Sequence, residues 1–350
     1  MTLTAPTLTD LAVATHERVV HVEGLPGGLS ALIAIHSTAR GPAAGGLRMR
    51  SYDSFDAAVE DVLRLSHGMT LKNAAADLPL GGGKAVIMGD VATQKTPELM
   101  EAFGMAVDQL GGDYRTAEDM GMTPEDMAII SRQTKFVAGL PGKSGDPSPI
   151  TARGVFLSMK VAAKHKFGSD DLNGKRVAMQ GLGHVGWHLA DMLHEAGAEL
   201  IVTDVNEDAL DEAVVSFNAK VVGLDEIYGQ DVEIFAPCAI GAVLNAKTIP
   251  MLTCEVVCGA ANNLLATPED GQRLVERGIL YAPDFVANGG GIINATPEII
   301  GQTQDAAWLE GKLQALSNNM DAILSESLRS GLPPHEVAEH MVEAKVSLAA

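Results

Sequence analysis

The chain has 350 residues, long for one domain and comfortable for two; 46% are hydrophobic and only 4% aromatic, so it can bury a large, mostly aliphatic core. A formal charge of −20 repels nucleic acid and anionic lipid, no lysine–arginine stripe offsets it, and no apolar run is long enough to span a bilayer. Cys238, Cys254 and Cys258 are an odd set, which argues against a disulfide framework and for a reducing cytoplasm, and Met1-Thr-Leu-Thr-Ala-Pro6 lacks the basic start and apolar core of a secretory signal.

In chain order, Arg18–Val22 and Ala31–Ile35 read as strands, and a helical pattern follows Ser54 to about His67. Thr96–Pro97 and Thr123–Pro124 each put a capping residue before a proline suited to the first helical position. Thr123-Pro-Glu-Asp126 has the form of a capping box with Asp in place of Glu. Between them Asp113–Thr116 reads as a short strand. Proline, glycine and serine crowd Leu140–Pro149, which predicts an interdomain hinge. A helix is expected from about Thr151 to Phe167.

The apolar run Lys175–Gln180 then meets Gly181-Leu-Gly-His-Val-Gly186, an apolar-periodic segment from Val185 to Ala196, and a second apolar run, Leu200–Thr203, ending at Asp204. This is the strand, glycine loop, helix, strand, acid order of a dinucleotide-binding unit. The first glycine permits the turn, the second lets backbone approach a pyrophosphate, and the third lets helix pack on strand. Helix-start N–H groups face the phosphates. Asp204 lies where an acid bonds the adenosine ribose hydroxyls and repels a 2′-phosphate. Further apolar runs at Glu233–Ala236, Glu255–Cys258 and Gly278–Tyr281 alternate with helical patterns, which implies a parallel sheet. From about Thr303 the chain reads as two long helices, the second after Pro333–Pro334 and expected to pack back on the first domain.

Other residues carry weaker signals. Gly81-Gly-Gly-Lys84 is not a Walker loop, because Leu78 and Ala85 stand where a glycine and a Ser or Thr belong. Three glycines before a lysine suggest backbone passing close to something at which the lysine points. Lys72, in Met69-Thr-Leu-Lys72, is a second lysine in an apolar setting. Brought together and desolvated, two lysines favour a neutral amine that can act as a base; spacing alone does not separate this from two surface lysines at helix ends. Asp119, in Thr116-Ala-Glu-Asp-Met-Gly121, follows a predicted strand, where it either faces a cleft or caps structure. His184 and His188 read as loop and surface packing, and Cys254 and Cys258 as buried thiols. No Gly-x-Ser-x-Gly hydrolase signature is present.

Taken together, the chain resembles the amino-acid dehydrogenase family of glutamate, leucine, valine and phenylalanine dehydrogenases, from about Ile35 to the C-terminal helices. The motifs are Gly41-Pro-Ala-Ala-Gly-Gly-Leu-Arg48, Met69–Lys72, Leu80–Lys84, Thr116–Gly121, Ala236-Pro-Cys238, Gly259-Ala-Ala-Asn-Asn263 and Ala282-Pro-Asp-Phe-Val-Ala-Asn288. The resemblance implies an α/β fold of two domains. Residues 1–148 would form an oligomerisation and substrate domain, completed by the C-terminal helix at about 330–350. Residues 149–329 would form a doubly wound Rossmann domain for NAD.

It also implies roles. Lys72 would bind the substrate α-carboxylate, Lys84 would activate water against the imino carbon, and Asp119 would exchange a proton with the amino nitrogen. Ala44, Gly45, Gly46, Asn262 and Ala295 would line the substrate side. Arg48, Thr151, Gly181, Leu182, Gly183, His184, Val185, Gly186, Asp204, Cys238, Asn262 and Asn288 would contact the cofactor, and no metal is implied. The reaction would be reversible oxidative deamination of an L-amino acid to a 2-oxo acid, ammonium and NADH, by a cytoplasmic homo-oligomer, with the cleft between the domains closing at the hinge.

No cation accompanies Ala44-Gly45-Gly46, which disfavours glutamate. Leucine-type members typically have Leu at the position of Ala44 and Val at that of Ala295, so both alanines would widen the pocket; phenylalanine-type members carry small residues at the first of these positions, as here. Pro147–Thr151 and Ala236–Ala242 are nearer the leucine type. Leucine and other branched-chain substrates are therefore expected, with phenylalanine or another aromatic as the alternative. A catalytically silent NAD-binding sensor is the reading from another class, and intact Lys72, Lys84 and Asp119 argue against it.

Overall fold

The computed structural model describes residues 4–303 and 305–347; the start of the N-terminal segment, Met1–Leu3, and the end of the expected C-terminal helix, 348–350, lie outside the described residues. The chain divides into two units, the first holding the residues up to Gly145, Asn294–Ala306 and the chain from Ala344, the second Asp146–Ile293 and Ala307–Glu343.

In the first unit, β1 (Thr7–Leu11), β2 (Arg18–Glu23), β3 (Ser30–Ser37), β4 (Ala43–Arg50), β5 (Gly81–Met88) and β6 (Tyr114–Glu118) form one sheet in the order β1-β2-β3-β5-β4-β6. β1, β2, β3 and β5 pair antiparallel, whereas β4 runs parallel to both β5 and β6. Parallel neighbours need crossovers. α1 (Phe55–Ala75) links β4 to β5, and α2 (Val91–Gln94) with α3 (Pro97–Gln109) links β5 to β6. α4 (Pro124–Ile130) follows β6.

Alternate strand residues face opposite sides. Ile33, Leu47 and Ile87 share one core with Leu99, Phe103 and Val107 of α3, while Leu32 and Val86 share another with Ala58 and Val62 of α1. Both faces are covered, which is why Ala31–Ile35 is apolar without alternation.

The capping expectations appear as observed bonds. Ser54 Oγ accepts the Ala57 N–H, Thr96 Oγ1 accepts the Leu99 N–H, and Thr123 with Asp126 closes a reciprocal capping box. α1 does not end near His67. It runs through Gly68 to Ala75 and stops before Asp77, whose φ of 52° is left-handed, so Met69–Lys72 is helical and Lys72 sits in the last turn, where a cation suits the helix dipole.

The second unit opens with α5 (Ser148–Phe167), which starts earlier than its sequence pattern because Ser148 and Pro149 occupy the first turn. Then come β7 (Arg176–Gln180), α6 (His184–Glu195), β8 (Glu199–Thr203), α7 (Glu207–Phe217), β9 (Lys220–Val221), β10 (Ile234–Pro237), β11 (Val256–Val257), α8 (Glu269–Glu276), β12 (Leu280–Tyr281) and α9 (Asp284–Ala287). All six strands are parallel, in the order β12-β11-β10-β7-β8-β9. This is a doubly wound sheet that reverses direction between β7 and β10, where such sheets bind ligands.

Three helices finish the chain: α10 (Gly290–Ile299), α11 (Ala306–Ser330) and α12 (Pro334–Ser347). The boundaries here differ from those expected. Asn294–Ala306 groups with the first unit, where Glu298 accepts the Leu140 N–H at 3.1 Å and the Ser144 N–H at 3.3 Å, and Arg115 donates to Ile299 O at 2.8 Å. The helix expected to complete the first domain is divided in this grouping: the first ten residues of α12 go with the second unit and the chain from Ala344 with the first. The physical reason is burial: His335 lies against Gly271 of α8, and Val337, Ala338 and Val342 are buried.

Candidate active site

The first unit gathers its charged side chains at β4, β5 and the end of β6. Gly82 packs so closely on Thr70 of α1 that a Cβ would strike the Thr70 backbone. A Cβ on Gly45 would strike Gly83 O, and one on Gly46 would lie 2.6 Å from the Asp119 Cβ. The glycines therefore allow α1, β4, β5 and the segment after β6 to close on one point. The Tyr114 hydroxyl donates to Gly45 O at 2.8 Å and the Asn73 amide to Gly81 O at 2.6 Å, which fixes that backbone.

At this point Lys84 Nζ donates to Asp119 Oδ2. The Lys84 side chain is 8% exposed and that of Asp119 29%. Burial pushes the Asp119 carboxyl up, but the Lys84 ammonium outweighs it, with help from Arg48 and the Met120 N–H, and holds it below the usual carboxylate range. Lys72 lies two residues after Thr70, and Thr70 abuts Gly82, so the two lysine-bearing segments do meet. Ala44 is wholly buried between Gly82 and Arg115, whereas Ala295 keeps part of its surface.

Arg48, expected among the cofactor contacts, lies on β4 beside Asp119. It belongs to the first unit, where Nη1 donates to Asp61 at 3.2 Å and Nε lies 3.6 Å from Asp119 Oδ2. Asp61 also accepts from Tyr52 at 2.8 Å and Arg64 at 3.2 Å. Sequence reasoning missed Asp61 and Tyr52. No local pattern marks them, since Asp61 reads as one more acid on an exposed helix face.

In the second unit the glycine loop lies at the switch point. Gly181 has φ +104°, and a Cβ there would lie 2.7 Å from that of Ala239, just after β10. A Cβ on Gly186 would strike Gly181 O, so the third glycine is required for α6 to pack on the turn. Gly183 faces open space and caps α6 without a side chain, leaving the first N–H groups of the helix no side-chain acceptor. Leu182 follows Gly181, and His184 and Val185 open α6. Asp204 Oδ2 accepts the Leu182 N–H at 2.5 Å and Oδ1 the Asn206 N–H at 2.8 Å, so this acid also braces the loop.

Asn262 and Asn288 are brought together. Asn288 Nδ2 donates to Asn262 Oδ1 at 3.0 Å and to Ala260 O at 3.1 Å. Asn288 Oδ1 is buried and has no hydrogen-bond donor among the described residues. The Thr151 hydroxyl donates to Pro147 O at 2.9 Å, beside the space left by Gly291. Cys238 follows β10, and desolvation pushes its thiol up to about 12, which disfavours the thiolate. A cradle that Cβ atoms would fill, a helix start with free N–H groups, an acid beyond the next strand and an orphaned buried acceptor together fit a dinucleotide.

The description "Glu/Leu/Phe/Val dehydrogenase, dimerisation domain" matches residues 13–136, and "Glutamate/Leucine/Phenylalanine/Valine dehydrogenase" matches 142–209 and 202–341. The chain belongs to this amino-acid dehydrogenase family. Among its relatives, leucine dehydrogenase of Bacillus subtilis (strain 168) is 47% identical over 334 residues, 95% of this chain and 91% of the relative. Phenylalanine dehydrogenase of Lysinibacillus sphaericus is 45% identical over 308 residues, 86% and 81% of the two chains. Among solved structures, L-tryptophan dehydrogenase from Nostoc punctiforme superposes with a TM-score of 0.86 at 40% identity, covering 96% of this chain and 97% of that one.

Proposed function

We propose that the protein catalyses the reversible oxidation of an apolar L-amino acid, leucine and other branched-chain residues first, by NAD+ and water to the 2-oxo acid, ammonium, NADH and a proton. The observation that carries this reading is the part-buried Lys84–Asp119 pair, set where the glycines of β4 and β5 bring four segments together. Identity of 47% to a leucine dehydrogenase supports the choice of substrate.

Bound NAD+ would supply the hydride acceptor. The residues of the chain would do the rest. Lys72 holds the α-carboxylate. Asp119 takes a proton from the amine, so that loss of hydride from Cα leaves an iminium. Water adds to the imino carbon as one of its protons passes to Lys84, and Asp119 returns a proton to the nitrogen; as ammonia leaves, the new hydroxyl gives it the other water proton to form the carbonyl, and Lys84 releases its proton to solvent. Gly181, Gly183 and Gly186 with the start of α6 would hold the pyrophosphate, Asp204 the adenosine ribose, and Asn288 Oδ1 a carboxamide N–H of the nicotinamide.

The test is absorbance of NADH after adding leucine, isoleucine, valine, phenylalanine, tryptophan or glutamate with NAD+. Leucine should give the highest kcat/KM and glutamate the lowest. No NADH from any of them, with NADH still bound, would instead support a silent sensor. NAD+ should be preferred to NADP+, because Val205 and Asn206 offer a 2′-phosphate no cation beside Asp204; preference for NADP+ would remove Asp204 from its role. Homo-oligomers, testable by light scattering, and a reducing cytoplasm complete the proposal.

A further inference from the structure

The Lys84–Asp119 contact poses a problem for the proposed chemistry. A carboxylate resting on Lys84 stabilises the ammonium, and an ammonium cannot take a proton from water. Before Asp119 takes the amine proton, its carboxylate must therefore have another place to rest, so that Lys84 can lose its own proton to solvent and stand neutral when water attacks. Arg48 offers that place. Its Nε is buried, has no hydrogen-bond acceptor among the described residues, and lies 3.6 Å from the same Oδ2 that Lys84 touches. A movement of well under 1 Å brings that pair to a normal N–H···O distance of about 2.9 Å. The guanidinium is meanwhile anchored from its other side by Asp61, which Tyr52 and Arg64 hold in turn.

We propose that Arg48 is a positioning residue for the deamination, whose Nε takes over the Asp119 carboxylate from Lys84 and so frees the lysine to accept the proton of water. This rests on the reaction proposed above. It assigns Arg48 to the amino-acid side rather than to the cofactor.

The groups facing the pair come from every neighbouring element. Lys84 lies on β5, Arg48 on β4, Asp61 and Arg64 on α1, and Tyr114 on β6, with Tyr52 beyond the end of β4. Burial pushes the Asp61 carboxyl up, but the Tyr52 hydroxyl, Arg48 and Arg64 outweigh it and keep it ionised. Two of those partners remain when Arg48 is removed, so the loss does not strand a buried charge.

The experiment compares the pH profiles of kcat in wild type, Arg48→Met and Arg48→Lys. Loss of a cation within about 4–6 Å moves the titration of an acid by roughly 1–3 pH units. In Arg48→Met the whole profile should move to higher pH by about one pH unit or more, because both Asp119 ionisation and Lys84 proton loss become harder. At the wild-type optimum kcat should fall roughly tenfold or more, since one pH unit changes the ratio of protonated to ionised group about tenfold, while KM for the amino acid changes less than about threefold. Arg48→Lys should return the profile most of the way.

An unmoved profile in a folded Arg48→Met, or equal displacements in both variants, overturns the proposal. Should Arg48→Met fail to fold, Asp61→Asn removes the acid competing for the guanidinium and must move the profile downward; no movement again overturns it. A second readout needs neither substrate nor cofactor: pH-difference infrared spectra, with Asp119→Asn to identify the band, follow the Asp119 carboxyl directly. Its titration must rise in Arg48→Met. That result stands even if no amino acid is oxidised, so failure of the reaction and failure of the Arg48 assignment give different data.

Discussion

The two units build their sites from different material. The glycine loop of the second unit is a backbone device. It is made of N–H groups at the start of α6 and of glycines whose missing side chains make room. The first unit uses glycine too, but to draw strands and a helix together so that Lys84, Arg48, Asp61 and Asp119 can meet as charges. A backbone site depends on shape more than on protonation. A charge cluster depends on who is protonated. Damage to the two should therefore look different.

The largest expected effect is Lys84→Ala. Removing a positioned acid–base group costs on the order of 10²–10⁴ in kcat, with NADH affinity and fold intact. Stopped-flow turnover and NADH fluorescence titration separate the two, and a folded variant retaining more than about a tenth of wild-type kcat sinks the assignment.

The complementary lesion is Gly186→Ala. Its Cβ would strike Gly181 O, so the turn must open. Overpacking of this kind costs about 1–3 kcal/mol, and the Kd for NADH should rise by about tenfold or more, since each 1.4 kcal/mol is about tenfold. The Asp119 titration should stay where it is. Unchanged NADH affinity would show that the loop does not carry the phosphates.

The alanines test the first unit at finer grain. Ala44 is wholly buried, so Ala44→Leu should act through packing and lower the melting temperature, at a cost of about 1–3 kcal/mol. Ala295 keeps some surface, and Ala295→Val should raise the leucine-to-phenylalanine ratio of kcat/KM by up to about tenfold, one methyl group being worth roughly 1–3 kcal/mol in an apolar pocket. The reverse pattern, with Ala44 moving the ratio and Ala295 only stability, would exchange their places.

The smallest effect is on stability against pH. His36 bonds the Thr70 hydroxyl at 2.8 Å, meets the His16 ring edge-on and lies against the His67 ring at a tilt. Burial, then His67 and His16, push its pKa down from 6.5 to about 4, with Glu17 opposing. The folded state thus binds fewer protons than the unfolded chain between those values, and stability is lost as pH falls from about 6.5 towards 4. The melting temperature should drop over that range, and His36→Asn should make the slope shallower. An equal slope in both would mean that other groups set the acid sensitivity.

Much of this organisation was legible beforehand, unevenly. The glycine loop and Asp204 are contiguous, and each turn requirement falls on a named residue, so they could be read as a unit. The caps at Ser54, Thr96 and Thr123 are equally local. Lys84 and Asp119 stood out as candidates, but spacing alone left open whether they were surface groups; the family resemblance supplied their roles. The extension of α1 to Ala75 was missed, because Gly68 interrupts the pattern while the core beneath Leu71, Ala74 and Ala75 continues it.

By itself, then, the sequence determined the alternation of strands and helices, the turns that need glycine, and the family, because those depend on neighbours a few residues apart or on motifs in fixed order. Only the tertiary structure decided that Arg48 meets Asp61 and Asp119, that Ala44 is closed off, and that most of α12 joins the second unit. Those outcomes depend on which buried partner satisfies a charge or covers an apolar side chain. That choice is made between segments far apart in the chain.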